Sequence, residues 1–209
     1  MTPVPFSSRR LGVLISGRGS NLQSIIDAIT QGRLDAEIAI VISNRSGAAG
    51  LLRARDVGIE TACLSPRDYP DGDSYDRAIV DLLQSREVGL VCLAGFMRLV
   101  GTPLLDAFPN RILNIHPSLL PAFAGLDAQR QALDHGVRIT GATVHLVTSE
   151  LDGGPIVLQA AVPVLDDDSV ETLSARVLVE EHRLYPEAIR RVLEGGLVVN
   201  GRRFVRRQT

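Results

Sequence analysis

"LGVLISGRGSNLQSIIDAIT", Leu11 to Thr30, is the stretch whose reading decides the fold. Leu11 to Ser16 is apolar and partly β-branched, which suits a buried strand. The period then changes: Leu22, Ile25, Ile26 and Ile29 place one helical stripe on Asn21 to Thr30. Gly17 and Gly19 stand between the two runs, so strand passes to helix through a tight turn. Backbone N–H groups at the start of such a helix can face an anion. A dinucleotide fingerprint would put a third glycine where Leu22 stands and an acidic residue at the next strand end, where Ser43 and Asn44 stand. Both are missing, so the turn favours a phosphate over NAD. Ser20 and Asn21 add hydroxyl and amide donors beside Gly19.

The alternation continues outward from this unit. Ala36 to Ile42 reads as a strand and Ala48 to Val57 as a helix ended by Gly58. Ile59 to Leu64 is a strand and Ser74 to Ser85 a helix. Val88 to Ala94 and Arg111 to Ile115 are further strands. This order implies parallel strands with helices on both faces. The second half differs, because only "TSELDGG" separates the strands Ile139 to Val147 and Ile156 to Val164. So short a connection joins antiparallel neighbours. Ser169 opens a helix towards Leu184, and Pro186 is expected to break or kink it before Ile189 to Leu193. The tail "RRFVRRQT" reads as one short final strand with solvated arginines. The expected fold is α/β: a Rossmann-like open sheet with a parallel N-terminal half, an antiparallel C-terminal hairpin and helices on both faces.

The 209 residues, 45% of them hydrophobic, can bury one sizeable core. A net charge of -2 gives no electrostatic case for nucleic acid or an anionic membrane as partner. All 22 basic residues are arginine, which excludes Schiff-base and P-loop lysine chemistry. Cys63 and Cys92 lie far apart in apolar runs and read as small core residues of a reducing compartment. With no signal peptide or membrane-length apolar run, the expectation is a soluble, cytoplasmic protein.

Chemistry gathers in three further stretches. In "NIHPSLLP", Asn114 to Pro121, proline stops the strand ladder and holds His116 at a strand's carboxyl end, where ligands bind in open α/β sheets. "LAGFMRLV", Leu93 to Val100, leaves a strand through glycine and displays Phe96, Met97 and Arg98, which suits a flat aromatic ligand. In "ELDGGP", Glu150 to Pro155, a tight turn leaves the Asp152 carboxylate projecting, although Asp-Gly is also ordinary turn chemistry. His135, His145 and His182 are weaker candidates, and no histidine pair has metal-ligand spacing. Asp166, Asp167 and Asp168 read as a solvated turn.

Taken in order, "SGRGSNL", "LAGFMRLV", "NIHPSLLP" and "ELDGGP" resemble the folate-dependent formyltransferases, over about Leu11 to Glu194. The resemblance is closest to the branch acting on a glycinamide ribonucleotide. It implies transfer of the formyl group of 10-formyltetrahydrofolate to the amino group of 5-phosphoribosylglycinamide, a step of purine synthesis, with no metal. It makes Asn114, His116 and Asp152 the catalytic set. Gly19, Ser20 and Asn21 would hold the substrate phosphate, and Glu181 the ribonucleotide. Met97, Arg98, Leu99 and Val100, with Asn114 and the loop Thr148, Ser149, Glu150, Leu151 and Asp152, would line the folate pocket. The implied organisation is a single domain over 1–209, with a phosphate-binding parallel half at 9–115 and a folate-binding, catalytic half at 116–200. Monomer and homodimer both stay open.

The implied roles have a physical basis. Amine attack on a formyl carbon gives a tetrahedral species with negative oxygen, towards which Asn114 and protonated His116 can donate N–H. Asp152 would favour the charged imidazolium and relay the amine proton. Asp127 and Gln129 stand where relatives often carry histidines, and Gly72 where some carry an arginine near the folate tail. Formyltetrahydrofolate hydrolases and methionyl-tRNA formyltransferases share the catalytic residue types. The first usually carry an extra N-terminal domain and the second a C-terminal one, for which this chain leaves little room. A sugar-nucleotide N-formyltransferase and a non-enzymatic ligand-binding module are the remaining alternatives.

Overall fold

The run Leu11 to Ile15 is wholly buried and forms the centre of the parallel half of a ten-stranded sheet. The computed structural model describes residues 2–3 and 8–206. Its strands are β1 (Thr2–Pro3), β2 (Arg10–Ile15), β3 (Glu37–Ser43), β4 (Thr61–Cys63), β5 (Leu90–Leu93), β6 (Ile112–His116), β7 (Ile139–Leu146), β8 (Ile156–Pro163), β9 (Leu197–Asn200) and β10 (Arg203–Arg206). Six α-helices connect them: α1 (Ser20–Thr30), α2 (Ala49–Asp56), α3 (Gly72–Ser85), α4 (Thr102–Ala107), α5 (Ala128–Asp134) and α6 (Val170–Leu193).

The strand order is β1-β9-β10-β8-β7-β6-β5-β2-β3-β4. Strands β2 to β6 run parallel, whereas β7 is antiparallel to β6 and β8 to β7. The chain leaves β2 towards β3 and β4, then returns to place β5 and β6 on the other side of β2. That reversal opens a crevice at the carboxyl ends of β2 and β5, the usual ligand position in open α/β sheets.

Two apolar clusters cover the two faces. One joins Leu22 and Ile25 of α1, Leu51 of α2 and Leu173 to Leu193 of α6 to Val13, Leu113 and Val144. The other joins Tyr75, Ile79 and Leu83 of α3 and Leu104 of α4 to Leu14, Leu93 and Ile112. Alternation along each strand divides its side chains between the clusters.

Several expectations require correction. Pro186 does not break the last helix: α6 runs 24 residues through it. Proline in a helix interior costs about 3 kcal/mol. Here Leu184, Tyr185, Pro186, Ala188 and Ile189 are all buried, and apolar burial of about 1.5–3 kcal/mol per large side chain outweighs that cost. The Tyr185 hydroxyl also donates to the carbonyls of Leu93 (3.0 Å) and Leu113 (3.1 Å), pinning the helix to β5 and β6. Helix α4, of six residues, was not legible as a periodic stripe, and α5 ends at His135 ahead of Gly136. The expected single final strand is the hairpin β9–β10. Cys92 is buried as expected, but Cys63 is exposed at the end of β4. Asp168 is not simply solvated. Arg176 grips it through both guanidinium nitrogens (2.8 and 2.9 Å) and the Leu165 N–H adds a third bond, holding the carboxyl well below its usual range. Among the described residues no helix is long and apolar enough to cross a membrane.

Candidate functional site

Strand geometry assembles the first part of the site. Asn114 and His116 are two residues apart on β6 and so share one face of the sheet. The antiparallel register sets His145 opposite Asn114 and Thr143 opposite His116, which brings both onto that face. The Asn114 Nδ2 atom lies 3.2 Å from His145 Nε2. Asp152 then closes the cluster from the β7–β8 loop. Its Oδ2 is 3.4 Å from His116 Nδ1 and its Oδ1 is 3.5 Å from His145 Nε2, so one carboxylate bridges two imidazoles.

The cluster is buried, with His116 at 5% exposure and the Asp152 side chain at 9%. Burial pushes the Asp152 carboxyl up. The His145 contact, the Gly125 N–H donating at 2.8 Å and the two imidazoles outweigh it, so the carboxyl sits below its usual range. Asp152 also has φ of 49°, a left-handed conformation that aspartate tolerates better than most residues. This aims its side chain back over β6 and β7. The projecting carboxylate read from "ELDGGP" is therefore real, and it reaches the predicted histidine.

Hydrogen bonds limit what each ring can do. The His116 Nε2–H donates to the Phe123 carbonyl at 2.8 Å. A neutral imidazole has only one N–H, so serving both this carbonyl and Asp152 takes the doubly protonated ring. The His145 Nδ1–H donates to the Leu146 carbonyl at 2.9 Å, which turns Nε2 towards Asn114 and Asp152. His145 was a weak candidate from sequence, yet it sits at the centre. Its signal was its place on the strand following "NIHP", but only the pairing register reveals that it faces Asn114.

The segment after Pro117 supplies two backbone groups that sequence could not nominate, the Phe123 carbonyl and the Gly125 N–H. Thr143 anchors it: its hydroxyl donates to the Ser118 carbonyl (2.7 Å) and accepts from the N–H of Leu120 (3.1 Å). Gln159 adds bonds to both Thr143 (3.0 Å) and the Leu120 carbonyl (2.9 Å).

A second cluster lies at the start of α1. Gly19 is its N-cap with φ of 71°, and a Cβ there would stand 2.6 Å from the Gly50 Cα. The position needs glycine for conformation and for space. No side chain caps the helix and its first turn holds no acid, leaving N–H groups for an anion. Asn21 donates through Nδ2 to Glu181 Oε2 at 2.8 Å, joining two predicted substrate residues. The Asn21 Oδ1 is buried without a partner. Burial raises the Glu181 carboxyl above its usual range, against the Asn21 hydrogen bond and the Arg18 charge. His182, next along α6, is partly buried and held low by burial, with no partner for Nε2. His135 ends α5 and faces Phe123, ring centroids 5.2 Å apart.

The two loops predicted to line an aromatic pocket approach the same face. Phe96, Val100 and Val147 pack on the cluster containing Leu93 and Ile112. Met97, Leu99 and Leu151 remain exposed at 58%, 77% and 56%. Arg98 stacks over Tyr75, its guanidinium carbon 4.8 Å from the ring centre, and the Met97 N–H donates to Ser16 Oγ at 2.8 Å. Thr148 is half-buried, while Ser149 and Glu150 are exposed at the loop tip. Among the described residues, no group of three or more His, Cys, Asp or Glu is placed to hold a metal ion.

Residues 9–189 match the model of the formyl transferase family. A phosphoribosylglycinamide formyltransferase of Haemophilus influenzae is 45% identical over 90% of this chain and 89% of its own length. A solved glycinamide ribonucleotide transformylase of Symbiobacterium toebii superposes with a TM-score of 0.93 at 59% identity, covering 94% of this chain and 93% of that one. The chain is also 46% identical over 92% of its length to a trifunctional purine biosynthetic protein of Bos taurus, but spans only 19% of that longer protein.

Proposed function

This chain belongs to the formyl transferase family, and from that premise we propose that it catalyses the phosphoribosylglycinamide formyltransferase reaction. The formyl group of 10-formyltetrahydrofolate passes to the amino group of 5-phosphoribosylglycinamide. The observation that carries this reading is the convergence of Asn114, His116 and Asp152 on one face of β6, beside an anion-ready helix start.

Each residue has a chemical role. Gly19, Ser20 and Asn21 take the substrate phosphate on the N–H groups of α1. Asn21 Oδ1, buried and unpartnered, accepts from a donor of the ribonucleotide, and Glu181 beside it takes a hydroxyl. The folate donor supplies the one-carbon unit. Met97, Leu99 and Leu151 supply the apolar surface that a flat pterin would cover, with Arg98, Val100, Thr148, Ser149 and Glu150 on the same two loops.

Formyl transfer to an amine places negative charge on the formyl oxygen. Asn114 donates an amide N–H to it, while His145 fixes the amide's direction. The His116 Nδ1–H is 3.4 Å from Asp152, long for a hydrogen bond, and turns to share its proton with that oxygen. One such donor is worth about 100- to 1,000-fold in rate. Asp152, held ionised by its N–H partners, takes the proton lost by the amine, directly or through water, and returns it to the folate nitrogen as the tetrahedral species collapses and the bond between the formyl carbon and that nitrogen breaks.

The test offers the purified protein 10-formyltetrahydrofolate with 5-phosphoribosylglycinamide, an amino-sugar nucleotide, methionyl-tRNA or water alone. Formyl loss should require the glycinamide ribonucleotide. Equal loss to water, or transfer only to another amine, would overturn the assignment.

A further inference from the structure

The chain leaves β2 through the turn assigned to the substrate phosphate and leaves β5 through the loop assigned to the pterin. The ladder between the two strands closes with the Ala94 N–H donating to the Leu14 carbonyl at 2.9 Å. Beyond it, among the described residues, two hydrogen bonds join turn to loop, and both end on Ser16. The Ser16 N–H donates to the Gly95 carbonyl at 3.1 Å, and the Ser16 hydroxyl accepts from the Met97 N–H at 2.8 Å. Ser16 is buried, while Met97 and Leu99 on that loop are exposed.

The outer ends of the two segments are tied to different helices. The Gly50 N–H donates to the Gly17 carbonyl at 3.0 Å and Arg53 Nε to the Arg18 carbonyl at 2.9 Å, which fixes the turn to α2 through its carbonyls and leaves its N–H groups for an anion. At the far end of the loop, the buried Asp76 of α3 accepts from the Gly101 N–H at 2.6 Å. Gly17 and Gly95 flank the Ser16 bonds. A Cβ at either would meet nothing within 4 Å, and Gly95 has φ of 77°. Each segment therefore has its least restricted residue beside the link. Without the Ser16 hydroxyl, turn and loop would move independently about these glycines.

We propose that Ser16 is a positioning residue whose hydroxyl couples the two substrate sites, so that bound ribonucleotide tightens folate binding. This rests on the two-substrate reading above and adds how one site reports to the other. A phosphate on the N–H groups of Gly19, Ser20 and Asn21 orders the turn. The Ser16 hydroxyl carries that order to Met97, which fixes the exposed Met97 and Leu99 under the pterin. Order imposed by the first ligand need not be imposed again by the second, and this gives positive cooperativity without a new contact. The coupling is reciprocal, so folate tightens the ribonucleotide by the same factor.

Tetrahydrofolate has no formyl group to give, so with 5-phosphoribosylglycinamide it forms a ternary complex that does not react. Calorimetry then measures its Kd with and without saturating ribonucleotide. In the unmodified protein the ribonucleotide should lower that Kd about tenfold, inside the usual range of roughly 5- to 150-fold for coupled sites. Ser16→Ala keeps the main-chain bond to Gly95 and should cut the factor below about twofold, with the Kd for tetrahydrofolate alone little changed. Its KM for 10-formyltetrahydrofolate at saturating ribonucleotide should rise about tenfold with similar kcat, the same lost coupling read kinetically. Ser16→Gly, which also lacks the hydroxyl, should behave alike. Asp76→Ala frees the far end of the same loop and should weaken tetrahydrofolate equally with and without ribonucleotide, keeping the coupling. No coupling in the unmodified protein, coupling that survives both Ser16 variants, or coupling that Asp76→Ala also abolishes would each overturn the inference, while formyl transfer by the unmodified protein leaves the proposed reaction standing. Failure of the unmodified protein to transfer the formyl group would remove the reaction and this inference together.

Discussion

Asn21 and Glu181 are 160 positions apart in the chain, yet the Asn21 amide donates to the Glu181 carboxylate at 2.8 Å. The bond ties the first helix to the last across the mouth of the proposed ribonucleotide site. It also leaves an acid buried where the ionised form is disfavoured.

Glu181→Gln should therefore separate stability from activity. The folded carboxyl lies above its unfolded value, so the native state holds the extra proton between the two. Stability then falls as pH rises through that window, and the loss persists above it. The amide keeps an acceptor for Asn21 and never ionises. The variant's Tm relative to the parent should rise from acid to pH 8, while its KM for 5-phosphoribosylglycinamide increases. A Tm difference unchanged by pH would contradict this account, and thermal melts at several pH values decide it.

Asp152→Asn should reduce kcat by about 100- to 10,000-fold, the range for lost proton transfer. The sign of the stability effect is opposite to that at Glu181. The Asp152 carboxyl is lowered in the folded state, so its contribution is present above the unfolded value and disappears as pH falls through the folded one. The amide variant should therefore be less stable than the parent at neutral pH and little different from it in strong acid. Urea titrations at both pH values measure the difference.

His145→Ala removes the group that orients both Asn114 and Asp152. A small misplacement of reacting groups costs on the order of 100-fold. The expected result is a fall in kcat of about that size, with KM for either substrate changed little. A variant with unchanged kcat would leave His145 a purely structural residue.

Gly19→Ala forces a Cβ into left-handed backbone and towards the Gly50 backbone 2.6 Å away. The conformation alone costs about 1–2 kcal/mol, and neither backbone can move aside cheaply. The variant should melt well below the parent and bind the ribonucleotide phosphate poorly. Calorimetry and the substrate KM test the two effects separately.

Most of the sheet was legible from apolar runs, because buried parallel strands are continuous and their helices carry clear stripes. Leu11 to Ser16 and Asn21 to Thr30 each fall within a residue of β2 and α1. Short elements were not: Thr102 to Ala107 holds too few turns to display a period. Pro186 misled because local chain chemistry was weighed without the burial of Tyr185 and Ile189 around it. Within the site, proline and glycine neighbours singled out His116 and Asp152, whereas Asn114 entered only through the family resemblance. His145 was not singled out, since strand alternation gives a face only relative to a partner. The Phe123 carbonyl and Gly125 N–H are main-chain groups, which no side-chain pattern can reveal.

The pairing of Asn114 with His145 also sets a rule for redesign. Removing or adding one residue between Thr143 and His145 would rotate the imidazole to the opposite side of the ribbon, among the packed leucines and valines of α6. Length changes in this protein therefore belong at the surface turns, and grafting of the β6–β7 ribbon should be done as one intact cassette.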